Sequence, residues 1–256
     1  MILARLSQAV RTQNWFAVVV EFVVVVAGVV IGFAVTGWAE TRNDDRRADL
    51  YLERLSADME ENQRRYIQSR DFRSDVRAFG LEALAYTEGR RTPETPWRVI
   101  LAYFNASQAG GSELVAATYG ELIATGDLRL LQNSALRGRL SSYYSQQGLI
   151  RITDELPAYR ESVRGEIPIE LQNYIWANCY ETMGGRDQAF FDCDAPADFE
   201  VTLSAFADQL VTNTELTAEL RYWVSTQFAA LELYSSRIAL TRAILEELQA
   251  EIATRR

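Results

Sequence analysis

Glu21 is the only ionisable residue between Phe16 and Trp38, in the run FAVVVEFVVVVAGVVIGFAVTGW. A carboxyl group in hydrocarbon is expensive to ionise and seeks a partner with which to share a proton or a hydrogen bond. Gly28 and Gly32 form a GxxxG, Thr36 extends it to three small residues at four-residue spacing, and Ala17 precedes the acid by one turn. At 3.6 residues per turn, Ala17, Glu21, Gly28, Gly32 and Thr36 share one helical face, and small residues there let two helix backbones approach closely. These types and spacings predict helix–helix association within a membrane. Snorkelling of Glu21 to a boundary roughly 8 Å away is the plainer alternative, and proton conduction is a third.

Elsewhere the chain lacks the residue types that most catalysis uses. It has no histidine and no lysine, so all 26 basic residues are arginine. Serine and cysteine triads, histidine-bearing zinc or di-iron centres, Schiff bases and a Walker lysine are excluded on that ground. A carboxylate mechanism stays open, with Glu113, Glu121 and Asp127 as the acids able to surround a cleft, although a chain with 35 acids scatters carboxylates over its solvated faces in any case. Gly110-Gly111-Ser112 reads as a turn and helix cap, because no strand precedes it and no lysine follows. Trp97, Tyr119 and the Tyr143-Tyr144 pair read as core aromatics and not as a stacking platform. Cys179 and Cys193, the only cysteines, enclose CYETMGGRDQAFFDC. They can close as a disulfide in an oxidising compartment, contributing ~3 kcal/mol for a loop of this size; two unrelated buried thiols are the alternative. No metal site and no cofactor is expected.

The elements that must position these residues begin with the apolar run. From Phe16 to Val35 it rises roughly 30 Å as a helix, the thickness of a bilayer's hydrocarbon core, and Trp15 and Trp38 bracket it where an aromatic belt sits. Residues 16–38 are therefore expected to be a transmembrane helix. Residues 1–15 place Ile2, Leu3, Leu6 and Val10 on one side and Arg5, Gln8 and Arg11 elsewhere, the pattern of a short interfacial helix. A cleaved signal peptide is the competing reading, with Gly37 and Ala39 near a possible cleavage point, but the run is too long for one and Glu21 is out of place in it. Arginines flank both ends, at Arg5 and Arg11 and at Arg42, Arg46 and Arg47, so charge does not orient the span, whereas the cysteine pair favours an oxidising, periplasmic side.

Residues 39–256 are expected to form one α-helical soluble domain. The whole chain carries a net charge of −9, and removing Arg5, Arg11 and Glu21 leaves 24 arginines against 34 acids, or −10, which disfavours a nucleic-acid or anionic-lipid partner. An apolar stripe at three-and-four spacing, Leu52, Leu55, Met59, Asn62, Tyr66, Ser69, Phe72, Val76, Phe79, Ala83 and Tyr86, predicts one long helix continuing from the span until Gly89, Pro93 and Pro96 end it. Shorter helices follow at 97–106, at 113–125 with Ser112 as cap and Gly126 as stop, and from Ala135 to about Arg164, kinked or broken at Pro157. Residues 165–198 read as irregular, and a modest helix near 199–210 leads into a last long one. That helix, Glu215 to Ala253, carries Leu216, Leu220, Trp223, Gln227, Leu231, Tyr234, Ile238, Thr241, Leu245, Leu248 and Ile252 on one stripe and is the natural antiparallel mate of the first. The fold class is all-α: a transmembrane helix continuing into a long helix, paired with a long C-terminal helix and capped by shorter ones.

Two stretches resemble a known group. Glu21, Gly28/Gly32 and Trp38-Ala39-Glu40, followed by Tyr51-Leu52, Leu55, Asp58-Met59 and Asn62, resemble the N-terminal signature of a family of uncharacterised bacterial single-pass membrane proteins, a domain of unknown function. Tyr119, Leu122, Gly126, Leu128, Leu130-Leu131, Asn133, Leu136-Arg137, Leu140 and Tyr143-Tyr144 are similar to its mid-chain pattern. Many members carry Asn-Asn where this chain has Thr36-Gly37. The resemblance implies a bacterial inner-membrane protein with a helical domain and supplies no activity. The expectation is a non-enzymatic scaffold or accessory subunit with the lipid bilayer, a second copy or another membrane protein as partners. A helical sensor signalling through a partner is the alternative, and a carboxylate-dependent hydrolase a distant third.

Overall fold

Seventy-three consecutive residues without a proline form the first helix, α1 (Trp15–Thr87). A computed structural model describes residues 15–110, 113–146, 155–183, 187–199 and 202–255, with the side chains of 15–18, 182, 183 and 187 set aside. The expected interfacial helix at 1–15 therefore lies outside the described residues except for Trp15, as do Ser112 and residues 147–154. The chain divides into two compact units, one ending at Tyr51 and one spanning Leu52–Arg256. In the first, α1 is the only element described. Gly89 ends α1 in the left-handed region at φ 65°, which only glycine adopts freely, and Arg90 N–H closes the turn on Ala85 O at 2.9 Å.

The second unit is built on the antiparallel pairing of α1 with α8 (Thr214–Arg255). Tyr66 meets Tyr234 edge-on at 5.9 Å, Arg73 donates to Gln227 Oε1 at 3.2 Å, and Arg221 reaches Glu88 at 3.2 Å, so one partner climbs as the other descends. Between them sits Gly80: a Cβ added there would lie 2.4 Å from Val224 Cγ2, so the helices touch where a side chain is missing. The expected stripe of α1 is buried at nine positions, with Ser69 and Phe79 half-buried. On α8 the expected stripe holds except that Leu231, Leu245 and Ile252 are half-buried and Ile244 takes a fully buried place.

The shorter elements close around this pair. They are α2 (Pro96–Ala106), α3 (Ala117–Thr125), a 3-10 turn at Asp127–Leu130, α4 (Ser134–Ser145), α5 (Ala158–Glu166), α6 (Ile169–Asn178), a hairpin of β1 (Tyr180–Met183) and β2 (Asp187–Phe190), and α7 (Leu203–Thr212). Thr95 caps α2 by accepting from Arg98 N–H at 3.2 Å, and Pro96 sits at the first helical position where its missing N–H is harmless. From Trp97 to Gln108 every side chain but that of Arg98 is buried, so α2 is a core helix, packed along α7 and touched by α5. Asn133 caps α4 and Asn213 caps α8, each accepting two backbone N–H bonds within 3.1 Å.

Three expectations require correction. The helix expected at 113–125 starts only at Ala117, because Asn62, itself fully buried, claims the backbone of Val115 with both ends of its amide: Nδ2 donates to Val115 O at 3.0 Å and Oδ1 accepts from Val115 N–H at 2.7 Å. One turn earlier on α1, Asp58 accepts from Thr118 N–H at 3.2 Å, so the cap of α3 comes from α1. The helix expected from Ala135 to about Arg164, kinked or broken at Pro157, is broken there as allowed, but its first part ends earlier than expected, at Ser145, and α5 starts after Pro157. Residues 165–198 are not irregular: α6 fills 169–178, and the cysteine loop is an antiparallel hairpin pairing Tyr180 with Phe190. Cys179 and Cys193 are joined in a disulfide at its base, with Cα atoms 5.2 Å apart.

Asn62→Ala removes both hydrogen bonds, which strands the Val115 N–H and leaves its carbonyl only the long bond from the Tyr144 hydroxyl at 3.4 Å. We expect it to lower the stability of the folded domain by about 2–4 kcal/mol in chemical denaturation, against no more than about 0.5 kcal/mol for the exposed Glu60→Ala.

Candidate functional site

Of the expected membrane face, Glu21, Gly28, Gly32 and Thr36 are all exposed, and a Cβ added to Gly28 or Gly32 would meet nothing within 4 Å. Ala17 and Trp15 lie in the first turn of α1. The Thr36 hydroxyl donates back to Gly32 O at 3.0 Å, which leaves its oxygen free only as an acceptor. Trp38 is exposed with the Arg42 guanidinium 5.3 Å over its ring, an aromatic and a cation adjacent at one end of the apolar run. The large side chains from Val19 to Val35 are exposed, and the most apolar 18-residue window of this helix has no residue buried. α1 is thus one candidate membrane-crossing helix.

The candidate acids of the domain do not converge. Glu121 is held by Arg54 at 2.6 Å, Asp127 is buried in the 3-10 turn, and Glu113 is exposed while its carbonyl accepts from Arg65. The aromatics behave as core: Trp97 donates to Cys193 O at 3.0 Å, Tyr119 stacks on Tyr144 at 4.3 Å, and Tyr143 is fully buried with its phenol bonded to Thr241. Among the described residues no three acids or cysteines are grouped to hold a metal ion.

Two arrangements were not legible in advance. An open groove of about 550 Å³ is lined by Asp75, Phe79, Glu82, Arg91, Arg98 and Phe190, among others. Arg98 grips Glu82 with two bonds of 2.8 and 2.7 Å, Arg91 stands at 3.5 Å, and the Tyr86 hydroxyl also donates to Glu82. Burial would raise the Glu82 carboxyl, but the hydrogen bonds from Arg98 and Tyr86 and the two positive charges outweigh it and hold it below the ordinary value. Burial and the same carboxylate push the Tyr86 phenol up to about 12, so it stays a donor. A general acid needs its carboxyl raised, the reverse of what this pairing does to Glu82.

The second arrangement surrounds the C-terminal end of α2. Tyr159 donates to Tyr103 O at 2.9 Å, Trp223 to Ala106 O at 2.8 Å, Arg160 to Ser107 O at 2.8 Å and Arg73 to Gly110 O at 2.7 Å. Arg160 also donates to Gln108 Oε1 at 3.2 Å, and Arg164 to the Ser107 hydroxyl at 3.1 Å, with its guanidinium carbon 4.8 Å from the Phe104 ring centre and 5.0 Å from that of Trp176. Burial, with Arg160 as a like charge, brings the Arg164 guanidinium down to about 10. The signal available in sequence was Arg160-x-x-x-Arg164, two like charges one turn apart on a short helix, which is unfavourable unless something else holds them.

Glu82 contributes stability that is whole above the unfolded-state carboxylate pKa of about 4.3 and is lost as the pH falls through its lower folded value. Glu82→Gln should therefore lower Tm at pH 7 and flatten the fall in Tm between pH 6 and 3, so that the two melting curves converge in acid. Parallel curves would place the acid sensitivity elsewhere.

Comparison with protein-family models, with characterised proteins and with solved structures finds no match to this chain.

Proposed function

We propose that the chain is a single-pass membrane protein, a non-enzymatic scaffold or accessory subunit, that associates with a second copy or another membrane protein through Ala17, Glu21, Gly28, Gly32 and Thr36. The observation that carries this reading is the open face on α1: an apolar helix with no buried residue in its most apolar window, an acid within it, and two glycines with free space beside them. Lipid satisfies the apolar side chains. It does not satisfy Glu21, and close backbone approach at Gly28 and Gly32 brings a partner helix within reach of that carboxyl. The disulfide supports an oxidising side for the domain, the periplasm of a bacterial cell with α1 in the inner membrane. A second reading, a helical sensor, is favoured by the arginines gathered around Gln108.

For the detergent-extracted protein, light scattering should give an assembly larger than one chain, and Gly28→Leu with Gly32→Leu should shift it to the monomer. An unchanged mass in the double variant would sink the interface. Orientation has its own test: in spheroplasts the cysteines should resist an impermeant maleimide until reduced, then label from outside. Thiols that label only after lysis would invert the topology.

A further inference from the structure

We propose that Arg160, Arg164 and Gln108 form a binding site for a small oxyanion, a carboxylate or phosphate group, at the C-terminal end of α2. The chain is acidic, and several arginines of its folded unit are met by acids, Arg54 by Glu121, Arg65 by Glu61 and Arg98 by Glu82. Arg160 and Arg164 are not: among the described residues neither has a carboxylate partner, and the acceptors they reach are Ser107 O, Ser107 Oγ and Gln108 Oε1. Part of this arrangement is architectural, since cations at a helix C-terminus complement its dipole and satisfy its last carbonyls.

The donors nevertheless outnumber the acceptors. Gln108 is 2% exposed, and with its oxygen fixed on Arg160 its Nε2 has no hydrogen-bond partner among the described residues. Arg164 Nη2 is buried and likewise without one. Arg160 holds the Gln108 amide and Ser107 O, and Arg164 holds the Ser107 hydroxyl, so the two arginines meet neighbouring residues of the chain. Leaving two such donors buried and unmet is strongly unfavourable, more so for the charged one. A guanidinium N–H and an amide N–H are donors of the kind that take the oxygens of an anion. Phe104 and Trp176 hold the Arg164 guanidinium from the side, so its orientation is set before a ligand arrives.

The site is independent of the membrane face and supplies the sensor reading with a ligand class. It is tested without any readout of assembly, so either proposal can fail alone. The full-length protein in non-ionic detergent is titrated with inorganic phosphate and, separately, acetate, with sodium chloride at matched ionic strength as the reference, and Tm is followed. We expect a saturable rise of about 3–6 °C at ten times the Kd with at least one of the two oxyanions and none with chloride. Phosphate alone acting marks a phosphate site, and acetate acting marks a carboxylate site. Arg164→Gln should weaken the response ten- to a hundredfold. Gln108→Glu, which places a carboxylate against Arg160, should fold with an unchanged or higher Tm and lose the response. No oxyanion-dependent rise in the wild type, or a rise that persists undiminished in Gln108→Glu, overturns the proposal.

Discussion

The folded unit depends on the buried end of α2. A helix leaves its last carbonyls without intrahelical partners, and at the surface water takes them. The end of α2 has no such access: Phe104, Asn105, Ala106, Ser107 and Gln108 are all buried. Phe104 O and Asn105 O are met locally by Ser107 and Gln108, and the other carbonyls find donors on three helices distant in sequence, Arg73 of α1, Tyr159 and Arg160 of α5, and Trp223 of α8. These bonds fix the rotation of each helix about its own axis, which apolar contact alone specifies poorly. Packing and hydrogen bonding agree there, since the same Trp223 is part of the core cluster and the same Tyr159 is fully buried.

Around that centre the long helices meet through small and polar contacts as much as through apolar ones. Gly80 admits Val224, Gln227 accepts from Arg73, and Tyr66 faces Tyr234. Polar residues on an otherwise apolar seam allow few registers, because a slip of one turn strands a buried amide or guanidinium. Asn62 does the same work at the other side of the unit, where its amide treats the Val115 backbone as a strand partner would and holds it out of helical geometry. The disulfided hairpin is attached by aromatic stacking, Phe190 on Phe72 at 5.2 Å and edge-on to Phe79 at 5.1 Å.

Charge follows a similar division. Several acids of the domain are paired with arginines, as Glu61 illustrates: hydrogen bonds from Arg64 and Arg65 bring its carboxyl down to about 2. Such groups are structural and leave little for proton transfer near neutral pH. The open face of α1 and the donor-rich end of α2 stand as the two candidate working surfaces.

By itself the sequence determined the long elements and their partnership. Periodicity over many turns at Leu52–Tyr86 and Leu216–Leu248, with Gly89 and Asn213 as punctuation, marks two amphipathic helices whose faces need each other, and an apolar run of membrane length is legible from composition alone. It also marked the cysteine pair, and the glycines and acid of the α1 face, because those signals are local. Tertiary structure decided whatever depends on a partner far along the chain. The late start of α3 is set by Asn62 and Asp58, more than fifty residues away. The end of α4 at Ser145 and the hairpin at 180–190 followed from surroundings that short windows do not contain. The arginines of α5 carry no local sign of what they meet. Only the fold brings Ser107 and Gln108 against them, and the physical reason is burial: water would have satisfied every one of those donors at the surface, and inside the unit only a specific neighbour or a ligand does.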